Sequence, residues 1–249
     1  MQLTYSIYYP GGNTTALVNQ LILDPILKRK INAKIMALYP LVEQVGFINA
    51  KNYRLEMAGG EFCGNATRCA AFFYLKGQSG KIKIQVSGVN KKLSAGVNEQ
   101  KNVWTQIPLL DPPTTYKLGY TLINIEGITQ VIIPRSGNKT NAEKILSQLN
   151  LLKSIPAAGV IFVTKNQSII KLDPFVYVRD IKTFFNETAC ASGTAAAGYY
   201  LARKLNRAAD FSILQPSKQI LNVSVQLKPL QVKISGQVKI IKKNLSITL

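Results

Sequence analysis

The chain has 249 residues, 47% of them hydrophobic, which is enough for one large core or two ordinary ones. No apolar run approaches the roughly 18–20 residues that cross a bilayer, and the opening MQLTYSIYYP lacks the layout of a signal peptide, so a cytoplasmic protein without membrane contact is expected. Lysine and arginine outnumber acidic residues by 31 to 12, a formal charge of +19, and the three cysteines are too few and odd in number for a secreted disulfide framework.

In chain order, a strand LTYSIYY leads into the turn PGGN, followed by strands in VEQVGFIN and YRLEMAG. The stretch EFCGNATRCAAFF then sets Cys63 immediately before small residues and a helix over 65–76, with the strand KIKIQVS beyond it. The segment IPLLDPP lacks too many amide donors for a helix or central strand, so it marks a boundary. Strands TLINIE, TQVIIP, VIFVT and FVYVR repeat the plan and lead to NETACASGTAAAGYYLARKL, where Cys190 precedes Ala-Ser-Gly-Thr and a helix over 193–205. Basic residues in KIKIQVSGVNKKL and QVKISGQVKIIKK fall opposite Ile and Val with a period of two, the pattern of half-buried strands with a wet face. They form no recognition helix or zinc spacing, so the charge reads as surface and a nucleic-acid partner is not expected.

Two thiols at matching helix starts, in a chain with no histidine, point to chemistry. Either cysteine alone reads as a small buried hydrophobe; its repetition favours a site. A helix N-terminus presents unpaired amides and a positive dipole end, which lower a thiol pKa and bind anions. One thiolate and one thiol on opposite faces of a carbon can remove and return a proton, and so invert its configuration. The scheme requires neither metal nor pyridoxal phosphate, and no cofactor is expected.

FCGNATRC and ACASGTAAA resemble the paired cysteine motifs of the diaminopimelate epimerase superfamily of cofactor-independent amino-acid racemases. PGGNTT, VGFIN, VYVR, QPSKQIL and ISGQVKI extend the likeness along nearly the whole chain, and GGEFCGNAT with EQVGFI is similar to the histidine racemases of opine-metallophore pathways. The resemblance implies an α+β fold of two similar lobes, each a curved, mainly antiparallel sheet around a central helix, with the active site between them. Residues 1–112 would form the lobe carrying Cys63, 113–236 the lobe carrying Cys190, and 237–249 a strand returning to the first lobe.

It also implies Cys63 and Cys190 as acid and base, Gly64 and Asn65 as one carboxylate-binding turn, and Ser192, Gly193 and Thr194 as the other. Asn13 matches an early substrate contact, Glu187 an acidic residue that would meet the substrate ammonium, and Arg179 a family arginine. Met57, Thr129 and Ala157 stand near places where diaminopimelate epimerases carry asparagines, so the far end of the substrate is read differently here. Glu43 would then pair either with a basic or imidazole substrate side chain or with a lysine of the chain, and Cys69 is read as a helix packing residue. The expected partner is a small amino acid, histidine or another basic one, and a homodimer is the assembly left open beside the monomer. Diaminopimelate remains the alternative substrate, and a non-catalytic basic binding module the alternative of another class.

Overall fold

The computed structural model describes residues 1–249. The chain opens with β1 (Gln2–Tyr9) and β2 (Thr15–Val18), passes through α1 (Pro25–Leu38), and continues as β3 (Gln44–Asn49) and β4 (Arg54–Met57). After α2 (Gly64–Tyr74) come β5 (Gly80–Val86), β6 (Leu93–Val97) and β7 (Val103–Gln106). The plan then repeats: β8 (Leu109–Lys117), β9 (Tyr120–Ile125) and β10 (Ile128–Ile133) lead to α3 (Lys139–Gln148) and the single turn α4 (Leu151–Ser154). Next are β11 (Ala157–Asn166), β12 (Ile169–Val178), β13 (Thr183–Asn186) and α5 (Ala191–Leu205). The chain closes with β14 (Ala209–Leu214), β15 (Ile220–Leu227), β16 (Leu230–Gly236) and β17 (Lys239–Thr248).

Strand pairing shows the repeat more clearly than composition does. In the first lobe β1 and β2 are antiparallel, β2 and β3 parallel, β3 and β4 antiparallel, β4 and β5 parallel, and β5, β6 and β7 form an antiparallel meander. The second lobe runs the same series through β9, β10, β11, β12, β14, β15 and β16, with β13 added to β12 as a hairpin. The lobes join where β7 pairs with β16. β17 returns to pair antiparallel with β1, and β8 lies beside β9 in the same way. The architecture is therefore α+β with two lobes, α2 at the heart of one and α5 at the heart of the other.

The proline-rich segment is an edge strand, not a linker. β8 pairs only with β9, and its register shifts between Leu109 and Thr114, which takes Pro112 and Pro113 out of the ladder. A division after residue 112 falls inside this strand, and we assign β8 onward to the second lobe and β17 to the first. The cysteine-led helices begin within two residues of their expected starts. α1, α3 and α4 have no counterpart in the sequence reading. Asp24 caps α1 by accepting from Leu27 N at 2.6 Å, Pro25 supplies a preset φ, and Lys28, Ile31, Asn32 and Ile35 make the buried stripe. α3 carries a reciprocal Asn138–Asn141 capping box. α1 covers the outer face of the first lobe's sheet and α3 with α4 that of the second, each over its own small core. No helix is long and apolar enough to cross a membrane.

Candidate active site

Each thiol is the N-cap of a central helix, with nearly the same backbone: Cys63 at φ −131°, ψ 113° and Cys190 at φ −129°, ψ 109°. Cys63 Sγ accepts from Ala66 N at 3.4 Å and Cys190 Sγ from Gly193 N at 3.3 Å. A threonine four residues on pins each cap, Thr67 Oγ1 donating to Cys63 O at 2.7 Å and Thr194 Oγ1 to Cys190 O at 2.6 Å. The repeated spacing Cys-x-x-x-Thr is the sequence signal of this arrangement. It also moves Thr194 from carboxylate binding to capping: its amide donates to Cys190 O and that of Gly193 to the thiol, and neither residue lines the cavity. The free first-turn amides are instead those of Gly64 and Asn65 on α2 and Ala191 and Ser192 on α5.

The two helix starts meet across the lobes. A Cβ placed on Gly64 would lie 2.9 Å from Ala191 Cβ, and Asn65 Nδ2 donates to Ala189 O at 3.0 Å. Arg68, fully buried on the next turn of α2, donates to Asn65 Oδ1, Val103 O, Pro10 O and Gln237 O at 3.0–3.2 Å, so the first lobe is tied together directly behind the site. Both thiols line one narrow cavity of about 40 Å³. Its polar wall holds Asn13, Glu43, Gln44, Glu61, Glu187 and the two helix starts; its apolar wall holds Phe62, Ile128, Val176, Val178, Ile181 and Phe185.

Burial overrides the expected lowering of the thiol pKa. Desolvation in the closed cavity pushes both thiols up, and the negative charge of Glu187 raises each further, against the weaker pull of the helix amides. The Cys63 thiol donates to Gln44 Oε1 at 2.9 Å, while Cys190 Sγ lies 3.5 Å from Ser192 Oγ, itself held by Gln130 Nε2 at 2.9 Å. Gln44, Glu61 and Gln130 escaped sequence reasoning, although Gln44 stands beside Glu43 and Glu61 two residues before Cys63. Burial also lifts the Glu187 carboxyl to about 8, with Cys190 and Asn13 beside it.

Glu43 lies on the cavity wall and pairs with no lysine; the three salt bridges of the chain are Lys28–Glu56, Arg54–Glu56 and Arg179–Asp180. Its carboxylate accepts from Thr188 N at 3.1 Å and from Thr188 Oγ1, and Thr188 Oγ1 accepts from Asn13 N at 2.6 Å. Glu43 thus ties the first lobe to the segment that leads into Cys190. Arg179 turns to Asp180 and lies outside the cavity, as do Met57, Thr129 and Ala157. Cys69 is fully buried in the main core, its thiol pushed by burial up to about 12. No group of three His, Cys, Asp or Glu side chains is placed to hold a metal ion.

The same architecture occurs in a hydroxyproline epimerase from Agrobacterium vitis, with a TM-score of 0.65, 10% identity and coverage of 100% of this chain and 93% of that one. A PhzF-family phenazine biosynthesis protein from Enterococcus faecalis matches over 100% of both chains, with a TM-score of 0.62 and 15% identity. In sequence, a histidine racemase of Fusobacterium nucleatum subsp. nucleatum is 32% identical over 84% of each chain, and one of Staphylococcus aureus 28% identical over 95% of this chain and 94% of that one. The chain is an isomerase of the amino-acid racemase and epimerase class. Residues 2–244 match the family described as the histidine racemase CntK N-terminal domain, and the chain belongs to that family.

Proposed function

We propose that this chain is a cofactor-independent histidine racemase in which Cys63 and Cys190 carry the α-proton on opposite faces of the substrate. The observation that carries the reading is the pair of helix-capping thiols opening into one cavity, together with four first-turn amides that have no helical acceptor. The substrate carboxylate sits on the amides of Gly64, Asn65, Ala191 and Ser192. As the α-proton leaves, negative charge spreads onto that carboxylate, where the preset amides and two helix dipoles stabilise it. Glu187 and Asn13, next to Cys190, receive the ammonium. One thiolate removes the proton and becomes a thiol; the opposite thiol delivers its own and becomes the thiolate, so atoms and charge balance in either direction. An entering ammonium offsets the negative charge of Glu187 and favours the thiolate.

The side-chain end of the cavity is apolar, with Phe62, Ile128, Val176, Val178 and Phe185, and suits a flat ring better than a second zwitterionic centre. The histidine racemases to which the chain is similar support the same substrate. Catalysis by two free thiols fits a reducing cytoplasm. In deuterium oxide without added cofactor, L-histidine should lose its α-proton signal and form the D-enantiomer, and Cys63→Ala and Cys190→Ala should each abolish racemisation. Full racemisation by either variant would overturn the mechanism. Turnover of meso-diaminopimelate equal to that of histidine would overturn the substrate.

A further inference from the structure

The structure leaves four buried side-chain polar atoms without a hydrogen-bond partner, and two of them, Asn13 Oδ1 and Glu61 Oε2, belong to residues lining the active-site cavity. Asn13 is 2% exposed and Glu61 6%. An unpaired acceptor at such depth is destabilising, so the cavity holds two places that a ligand's donors would satisfy. Both atoms are acceptors. The ligand must bring two donors.

The surroundings of the two atoms separate their partners. Asn13 and Glu187 lie together beside Cys190, at the end assigned to the substrate ammonium. Glu61 faces a different wall: a Cβ placed on Gly59 would stand 2.7 Å from Glu61 Oε2 and 2.5 Å from Val178 Cγ1. Glycine at 59 therefore makes the recess that holds the carboxylate against the apolar wall. Lys28, whose charge is felt at Glu61, does not neutralise it; the buried ammonium donates to Met57 O at 3.1 Å and lies 3.9 Å from Glu56 Oε2. Asp180 adds further negative potential.

We propose that Glu61 is the residue that reads the substrate side chain, its free Oε2 accepting an N–H from a ring or cationic group that lies along Phe62, Val178 and Ile181. The assignment rests on the amino-acid racemase reading of the cavity and adds a specificity residue to it. Glu43 shares the wall, but its oxygens already hold Thr188, whereas the Glu61 carboxyl has only the backbone amides of Gly59 and of Glu61 itself beside it and its Oε2 makes no side-chain hydrogen bond. Burial lifts the Glu61 carboxyl to about 7, and an N–H arriving at Oε2 favours its ionised form. A side chain of the same shape without an N–H leaves that acceptor orphaned inside the closed site. Sites of this kind reject such isosteres strongly.

The test compares L-histidine with L-3-(2-thienyl)alanine, which keeps a five-membered ring and has no N–H. Exchange of the α-proton in deuterium oxide gives kcat/KM for each. Wild type should favour histidine by about 100-fold or more. Glu61→Leu should remove most of that preference, lowering histidine exchange and raising thienylalanine exchange because the orphaned acceptor is gone, and Glu61→Gln should fall between, since its amide oxygen still accepts. Gly59→Ala, which keeps the carboxylate but fills its recess, should shift the ratio in the same direction and serves if the Leu variant fails to fold. An unchanged ratio in folded Glu61→Leu or Gly59→Ala overturns the assignment, as does a wild type that exchanges thienylalanine as fast as histidine. If wild type exchanges lysine or arginine but not histidine, the histidine reading falls alone, and the Glu61 assignment stands or falls on the same ratio taken against norleucine.

Discussion

Asn65→Ala should separate the two thiols without touching either. Asn65 is 1% exposed, and its side chain makes two bonds: Nδ2 to Ala189 O at 3.0 Å, just before Cys190, and Oδ1 from Arg68 Nη1 at 3.2 Å. Truncation orphans a fully buried carbonyl and takes one of four acceptors from a buried guanidinium. At about 1–2 kcal/mol for the neutral bond and about 1.5–3 for the charged one, the folded state should lose roughly 3–5 kcal/mol. For a chain of this size that is a fall in Tm of roughly 6–20 °C. Asn65→Asp gives a sharper reading, because it keeps an acceptor for Arg68 but turns an anion towards Ala189 O. It should therefore lose less stability than Asn65→Ala yet lose racemisation as severely, since the bond between the helix starts is gone in both. Thermal denaturation and a chiral assay of histidine measure the two quantities side by side. Asn65→Ala within about 1 kcal/mol of wild type, with full racemisation, would refute the argument that this bridge sets the thiol geometry.

Stability should fall as pH rises from about 5 to 8. Glu61 and Glu187 are raised to about 7 and about 8, so the unfolded chain releases their protons first and each group contributes a slope of up to about 1.4 kcal/mol per pH unit in that window. The double variant Glu61→Gln with Glu187→Gln should flatten the Tm profile, and an equally steep profile would show that other groups set it. Mild oxidation should inactivate the enzyme by joining Cys63 to Cys190, with a mass loss of about 2 Da and recovery on reduction, and Cys69→Ser should behave identically; a bond that includes Cys69 would contradict its place in the core. Glu43→Gln should cost about 1–2 kcal/mol by weakening the link to Thr188, and should narrow the preference for histidine over a neutral acid less than Glu61→Leu does. Racemisation kinetics of the two variants, taken together, decide which carboxylate contacts the side chain.

The sequence by itself determined the features that depend on local pattern. Two cysteines before small residues and helix formers placed both thiols at helix starts, and the alternation in KIKIQVS gave a strand with Lys81 and Lys83 in solvent and Ile84 and Val86 buried. The repeat was legible because both lobes need the same capped helix, down to the threonine four residues after each cysteine. Helix α1 was hidden by its charge, since Lys28 and Asn32 occupy buried stripe positions that a polarity pattern assigns to solvent. The tertiary structure alone decided the rest. It brought Glu43 onto Thr188, 145 positions away, and Asn65 onto Ala189, 124 away, distances over which composition carries no register. It also decided the sign of the thiol pKa shifts: a helix N-terminus is written in the neighbouring residues, but desolvation depends on what the other lobe places over the sulfur, and that effect is the larger. For the same reason Glu61, two residues before Cys63, reads as an ordinary acidic residue until the recess at Gly59 and the wall at Val178 close around it and leave its oxygen unpaired.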